Sequence, residues 1–76
     1  MNKTMIVLKA LKEGQRLNQL NATTRGIKVK IGGKEFTAIT IRLGAIVFNL
    51  RKKGYNIQTS LVGNTNYAVY HLEMND

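Results

Sequence analysis

The densest positive cluster in the chain is Arg51-Lys52-Lys53, which Gly54 follows directly. Ammonium and guanidinium groups are the side chains that proteins most often use to hold phosphate, so this cluster could bind a polyanion. Positive charge in the last turn of a helix also compensates the helix dipole without any ligand. Phosphate contact is favoured because three more lysines stand nearby in the sequence. The predicted phosphate-binding residues are Lys28, Lys30, Lys34, Arg51, Lys52 and Lys53.

The net charge of the chain also indicates a polyanionic partner. Twelve Lys and Arg residues against four Asp and Glu residues give a formal charge of +8 over 76 residues. Such an excess attracts polyanions and repels cationic partners. All twelve cations lie between Lys3 and Lys53, so the positive field belongs to the segments before the last strands. A basic protein with no nucleic-acid role is the alternative.

Residues for catalysis or metal binding are scarce. The chain has no cysteine, a single histidine (His71) and four scattered acids, so it has no thiol nucleophile, metal-ligand spacing or carboxylate pair. We therefore expect no enzymatic activity and no cofactor. No apolar run approaches the roughly 20 residues of a membrane span, and we expect a cytoplasmic protein that does not bind membranes. A length of 76 residues predicts one domain over 1–76.

The stretch from residue 39 to residue 57 predicts an amphipathic helix that runs into a strand. Gly54 suits the end of this helix, because a left-handed conformation is easiest without a Cβ atom. We place this third helix at about residues 37–53, with Thr37 as its N-cap. Its apolar residues recur at the spacing of one buried helical face: Ile39, Leu43, Ile46, Val47 and Leu50.

The rest of the chain predicts two shorter helices and three strands. The helices are Lys3–Lys12, capped by Asn2 or Thr4, and about residues 17–24, capped by Asn18. Residues 27–31 alternate as a strand, and Gly32-Gly33 indicates a turn. Residues 34–38 either return as a second strand or lead early into the third helix, and we favour the helix. The last strands are residues 55–62 and 67–73, joined by a 63–66 turn into a C-terminal hairpin. The predicted fold is α+β, in the order α-α-β-α-β-β.

Several of these residues follow the pattern of a known family: Arg42, Leu43, Ile46, Leu50, Arg51, Gly54, Tyr55, Ile57, Tyr70 and Leu72. The pattern Leu-Arg-x-x-Gly-Tyr-x-Ile, followed by a strand closing in Tyr-x-Leu, resembles the small winged helix-turn-helix domains common in bacteriophage and prophage genomes. The resemblance implies a transcription regulator that places its third helix in the major groove of double-stranded DNA inside a host bacterium. About ten residues separate Gly26 from Thr37 here, whereas a compact helix-turn-helix needs only about 3–4.

On this hypothesis the third helix presents Thr37, Thr40 and Arg42 to the groove, with Asn49 as a further short polar group. Arg42 could reach a guanine edge, or it could instead brace the second helix or contact a phosphate. We also expect a homodimer on a symmetric site, because one small module contacts few base pairs.

An apolar ridge of Ile41, Ala45 and Phe48 lies nearly opposite the predicted buried face of the third helix. Three interpretations are open: the ridge packs under the 27–31 strand, forms a homodimer or partner interface, or touches thymine methyl groups. An interface at the ridge predicts a second function. The chain would then be a phage-encoded module that binds and inhibits a host protein through this ridge and its basic surface.

Overall fold

Three helices and two antiparallel sheets make up the fold, which is α+β as predicted. The computed structural model describes residues 2–61 and 68–73. Val62, Tyr67 and the predicted 63–66 turn lie outside the described residues. The elements in chain order are α1 (Lys3–Lys12), β1 (Leu17–Asn18), α2 (Gln19–Thr24), β2 (Ile27–Ile31), β3 (Lys34–Ala38), α3 (Leu43–Lys52), β4 (Ile57–Leu61) and β5 (Ala68–Leu72).

The strands form a three-stranded sheet in the order β1-β5-β4 and a separate two-stranded sheet, β2-β3. β1 and β3 are additional to the predicted order α-α-β-α-β-β. The strand β1 is only two residues long, too short for any apolar alternation to reveal it. It forms because Leu17 pairs with Tyr70 and Asn18 with Val69 of β5. The C-terminal hairpin of β4 and β5 is present as predicted.

Helix ends largely follow the predicted capping chemistry. The Oδ1 of Asn2 accepts the Met5 N–H at 2.8 Å, and the Oδ1 of Asn18 accepts the Asn21 N–H at 2.7 Å. The predicted bounds of α1 and the Asn18 cap are therefore confirmed. The helix α2 begins at Gln19, however, because the preceding residue belongs to β1.

The prediction that helix 3 begins at Thr37 is wrong. Thr37 lies in β3, where it pairs with Lys28, and α3 begins at Leu43. Residues 35–38 alternate between exposed and more buried positions, and residues 34–38 pair with β2 through their backbone groups. Ile39, which was predicted to face the core, is 54% exposed, because it precedes the helix.

The core is built around α1, which contacts α3 and both sheets. The apolar face of β2, Ile27 and Val29, packs on α1. Leu20 of α2 does not belong to this core, since that side chain is 54% exposed. Fully burying each large aliphatic side chain stabilises the fold by about 1.5–3 kcal/mol, and the largest fully buried ones are Val7, Leu11, Leu43, Val47 and Leu50.

The β2–β3 hairpin is closed at its base by a close approach at Gly26. This residue has a φ of +80°, and a Cβ atom there would lie 2.7 Å from the Thr37 methyl group and 2.9 Å from Ile39 Cγ1. One residue beyond Ile39, the N–H of Thr40 donates to the carbonyl of Ala22 at 2.9 Å. The chain therefore leaves α2, makes the hairpin and returns to α2 before α3 begins.

Candidate nucleic-acid interface

The side chain of Gln19 joins α2 to the beginning of α3. Its Nε2 donates to the Thr40 carbonyl at 2.7 Å, and its Oε1 accepts the Leu43 N–H at 3.0 Å. The Thr40 hydroxyl accepts the Arg42 N–H at 3.0 Å. Backbone donors at the start of a helix have no partner within the helix, so these acceptors fix where α3 begins. The two helices are joined closely in space, although many residues separate them in sequence.

Three of the residues predicted to contact DNA from helix 3, Thr37, Thr40 and Arg42, precede that helix, whereas Asn49 lies on it. Thr37 is exposed on β3. Thr40 is only 7% exposed and is held by α2, so the prediction that it faces a groove is wrong. Arg42 is exposed at the N-cap of α3, and its guanidinium forms no hydrogen bond within residues 2–61 and 68–73. Of the three, only Thr37 and Arg42 are accessible to a ligand.

The outward face of α3, as we define it, consists of Ala45, Phe48, Asn49 and Lys52. All four are exposed, and at about 100° per residue they lie within roughly 100° of each other, opposite the buried face of the helix. The Lys52 Nζ lies 4.7 Å from the centre of the Phe48 ring, a distance at which a cation is attracted to the ring face.

The apolar ridge lies on the surface. Ile41 is 78% exposed in the turn before α3, and Phe48 is 56% exposed on the helix. The interpretation that the ridge packs under the 27–31 strand is therefore wrong, because the apolar face of that strand packs on α1 instead. The interface and the thymine-methyl interpretations are both compatible with this exposure.

The basic cluster after Leu50 divides into two parts. The Arg51 Nε donates to the Ile57 carbonyl at 2.8 Å, and its Nη2 donates to the Thr59 hydroxyl at 2.6 Å. Arg51 thus ties α3 to β4, a structural role that the sequence did not reveal. Lys52 and Lys53 are exposed and form no hydrogen bond with any described residue. These two lysines form what we call the helix cluster.

The other predicted phosphate-binding residues lie on the first hairpin. Lys28 and Lys30 are exposed on β2, opposite Thr37 and Glu35 respectively, and Lys34 is exposed at the start of β3. We call these three lysines the hairpin cluster. No hydrogen bond or ion pair between described residues connects it with the helix cluster. The sequence correctly indicated exposed cations, which the fold places on two separate elements.

Most of the positive charge is not neutralised within the protein. The twelve cations all lie in the described residues, and among those residues the only ion pair is Lys9–Glu13, at 3.7 Å. The other eleven Lys and Arg side chains have no carboxylate partner there. Their field is available to an external anion and is screened only by salt.

The described part of the chain contains no group of three or more His, Cys, Asp or Glu side chains that could hold a metal ion. The Nδ1 of His71 is buried there without a hydrogen-bond partner. Every helix in residues 2–61 and 68–73 is too short or too polar to cross a bilayer.

Comparison with known proteins gives no family assignment. No family model, curated protein or solved structure matches this chain. The resemblance to phage winged helix-turn-helix domains therefore stays a prediction drawn from the motif residues.

Proposed function

We propose that this chain is a winged helix-turn-helix protein of phage type that binds double-stranded DNA and regulates transcription. The observation that carries the proposal is the outward face of α3, an exposed helical surface that bears Lys52 in its last turn and is followed by Lys53 at the C-cap. Neither lysine has a carboxylate partner among the described residues. The connection of α2 to α3 through Gln19 supports a helix-turn-helix. The β4–β5 hairpin that follows α3 supports the assignment of a wing.

In the proposed complex α3 lies in the major groove, and lysines on two elements hold the DNA backbone. The helix cluster contacts phosphates beside the groove, while the hairpin cluster contacts them from the segment between α2 and α3. Arg51 steadies the helix on β4 rather than serving as a free phosphate ligand, since its guanidinium is already hydrogen-bonded. Five phosphate contacts predict a slope of about −4.5 for log affinity against log salt concentration.

Fluorescence anisotropy with a labelled random-sequence duplex tests the proposal. Raising the salt from 50 to 200 mM should weaken binding about 500-fold, as the slope of five phosphate contacts requires. A slope near zero, or no binding at 50 mM salt, would contradict DNA binding.

A matched pair of variants tests whether α3 makes the contact. Lys52→Glu with Lys53→Glu should abolish binding, because it reverses the charge of the helix cluster. Lys3→Glu with Arg16→Glu changes the net charge equally at exposed positions outside both clusters, and we expect a much smaller loss. Equal losses in the two variants would indicate attraction to the whole protein rather than binding through α3.

The exposed ridge favours a second candidate, a module that binds and inhibits a host protein or forms a homodimer. Ile41 at 78% exposure and Phe48 at 56% exposure are large apolar side chains on the surface of a small protein, and such exposure can mark an interface. Phe48→Asp should abolish self-association in sedimentation equilibrium and spare DNA binding if the ridge is such an interface. If Phe48→Asp impairs DNA binding without changing the mass in solution, the interface candidate is wrong.

A further inference from the structure

The outward face of α3 has an unusual chemical composition for a basic protein. Two of its side chains are apolar, one is an amide and one is an ammonium: Phe48, Ala45, Asn49 and Lys52. These four side chains include no guanidinium and no carboxylate, whereas ten other cations also lack ion pairs among the described residues, one of them Arg42 at the N-cap of the helix. The groups at the centre of this face are thus suited to apolar contact and to an amide hydrogen bond.

In the major groove these groups match one class of base pair. The thymine C5 methyl is the apolar group displayed there, and an Asn side chain can form two hydrogen bonds with adenine N6 and N7. Guanine is commonly read by Arg or Lys, and cytosine by Asp or Glu. The one cation of the outward face, Lys52, lies in the last turn of α3, whereas residues early in a recognition helix commonly contact the base edges. Lys52 is therefore better placed for the DNA backbone.

We propose that the outward face of α3 selects A·T base pairs, with Phe48 and Ala45 packed against thymine methyl groups and Asn49 hydrogen-bonded to adenine. This inference rests on the proposed function, and it names the sequence class that the same surface reads. Lys52 contacts a phosphate on the groove wall beside the Phe48 ring.

The contact between Lys52 and Phe48 favours DNA over an apolar protein surface as the partner. The ammonium lies 4.7 Å from the ring centre, so a partner that covers the ring also approaches the charge. An apolar interface would remove water from that ammonium without offering an anion, which is costly. A DNA groove offers a methyl group to the ring and a phosphate to the ammonium.

Replacing thymine by uracil in a duplex tests the inference, because it removes only the C5 methyl groups. The protein should bind an alternating A·T duplex about fourfold more tightly per contacted methyl than the same duplex with uracil, the gain expected for one buried methyl-sized group. Phe48→Ala should abolish this preference. Met5→Ala is the matched control, because Met5 is similarly exposed, at 52%, but lies on α1; it should leave the preference unchanged.

Asn49→Ala tests the adenine contact separately. It should lower the preference for A·T over G·C duplexes by tenfold or more, roughly the value of one bidentate base contact. Circular dichroism should show unchanged folding in all three variants, since their side chains are exposed.

Three results would overturn the inference, and they are distinguishable. Equal binding of the thymine and uracil duplexes by the wild type would contradict the methyl contact but would not contradict DNA binding. Loss of a dimer in Phe48→Ala with an unchanged thymine preference would assign the face to a protein partner. No binding of any duplex at 50 mM salt would remove the proposed function itself.

Discussion

The two β-hairpins have strands of equal length, yet they are attached to the molecule in different ways. The β2–β3 hairpin packs on α1 and is closed at its base by the close approach of Gly26 to the Thr37 and Ile39 side chains. The β4–β5 hairpin is held by the guanidinium of Arg51 and by pairing with β1. The first hairpin carries three lysines, whereas the described strands of the second carry none.

The two hairpins therefore have different roles in the molecule. The second hairpin steadies α3 and contributes no positive charge from its described strands. The first hairpin occupies the place of a short turn between α2 and α3 and adds a charged surface there. Changes at its base should therefore affect folding, while changes at its lysines should affect only binding.

The largest expected effect is at the base of the first hairpin. Gly26→Ala should lower the free energy of unfolding by about 2–4 kcal/mol, because the new methyl group clashes and the positive φ is unfavourable. Urea denaturation measures the loss. Gly33→Ala is a matched control with a φ of +81° but open space around its Cβ position, and it should cost only about 1 kcal/mol. Equal losses would show that the close approach at Gly26 is unimportant.

The next effect is at the connection between α2 and α3. Gln19→Ala should lower the free energy of unfolding by about 2 kcal/mol. It removes the acceptor of the Leu43 N–H and leaves the Thr40 carbonyl with only the longer hydrogen bond from the Thr23 hydroxyl, at 3.5 Å. Gln15→Ala removes one exposed hydrogen bond, to the Lys28 carbonyl, and should cost less than about 1 kcal/mol. A Gln19 variant as stable as the Gln15 variant would contradict this role.

At the second hairpin, Arg51→Met should cost about 1 kcal/mol, since it keeps the apolar stem and removes two hydrogen bonds to β4. Hydrogen exchange should report faster opening of β4 than in the wild type. Lys53→Met, at an exposed neighbour without such bonds, should leave exchange unchanged and weaken DNA binding instead. The reverse result would exchange the roles that we assign to these two residues.

The smallest effect on folding is expected at the outer surface of the first hairpin. Lys28→Gln with Lys30→Gln should change the free energy of unfolding by less than about 0.5 kcal/mol, because both side chains are exposed. It should make the salt slope of DNA binding shallower by about 2. An unchanged slope would place the DNA away from this hairpin.

The parts of the fold that the sequence predicts well are those fixed by local chemistry. The helix α1 combines an amphipathic run with an Asn cap, and Gly54 ends α3 with a φ of +103°, as its position suggested. The C-terminal hairpin follows from alternation in two neighbouring segments.

The start of α3 could not be predicted from the local sequence, because the residues before Leu43 fit both a helix pattern and a strand pattern. Ile39 continues the helical spacing of the later apolar residues, while residues 34–38 also alternate as a strand. Contacts from distant residues decide between the two patterns. The Gln19 side chain accepts the Leu43 N–H, and the missing Cβ atom of Gly26 leaves room for the Thr37 side chain at the base of the hairpin. The site residues predicted from the helix at Thr37 and Thr40 were misplaced for the same reason. Ala45 and Phe48 do lie opposite the buried face of α3, as the helical spacing predicted.

The two-stranded sheet leaves the outer edges of β2 and β3 without a strand partner in the described part of the chain. Open edges can pair with those of a second molecule, and lysines on such strands oppose this pairing by like-charge repulsion. The lysines that we assign to phosphates therefore also act against aggregation. A polyanion that neutralises the lysines of the hairpin cluster would remove this protection, so DNA that is saturated with the protein should promote its edge-to-edge assembly along the duplex.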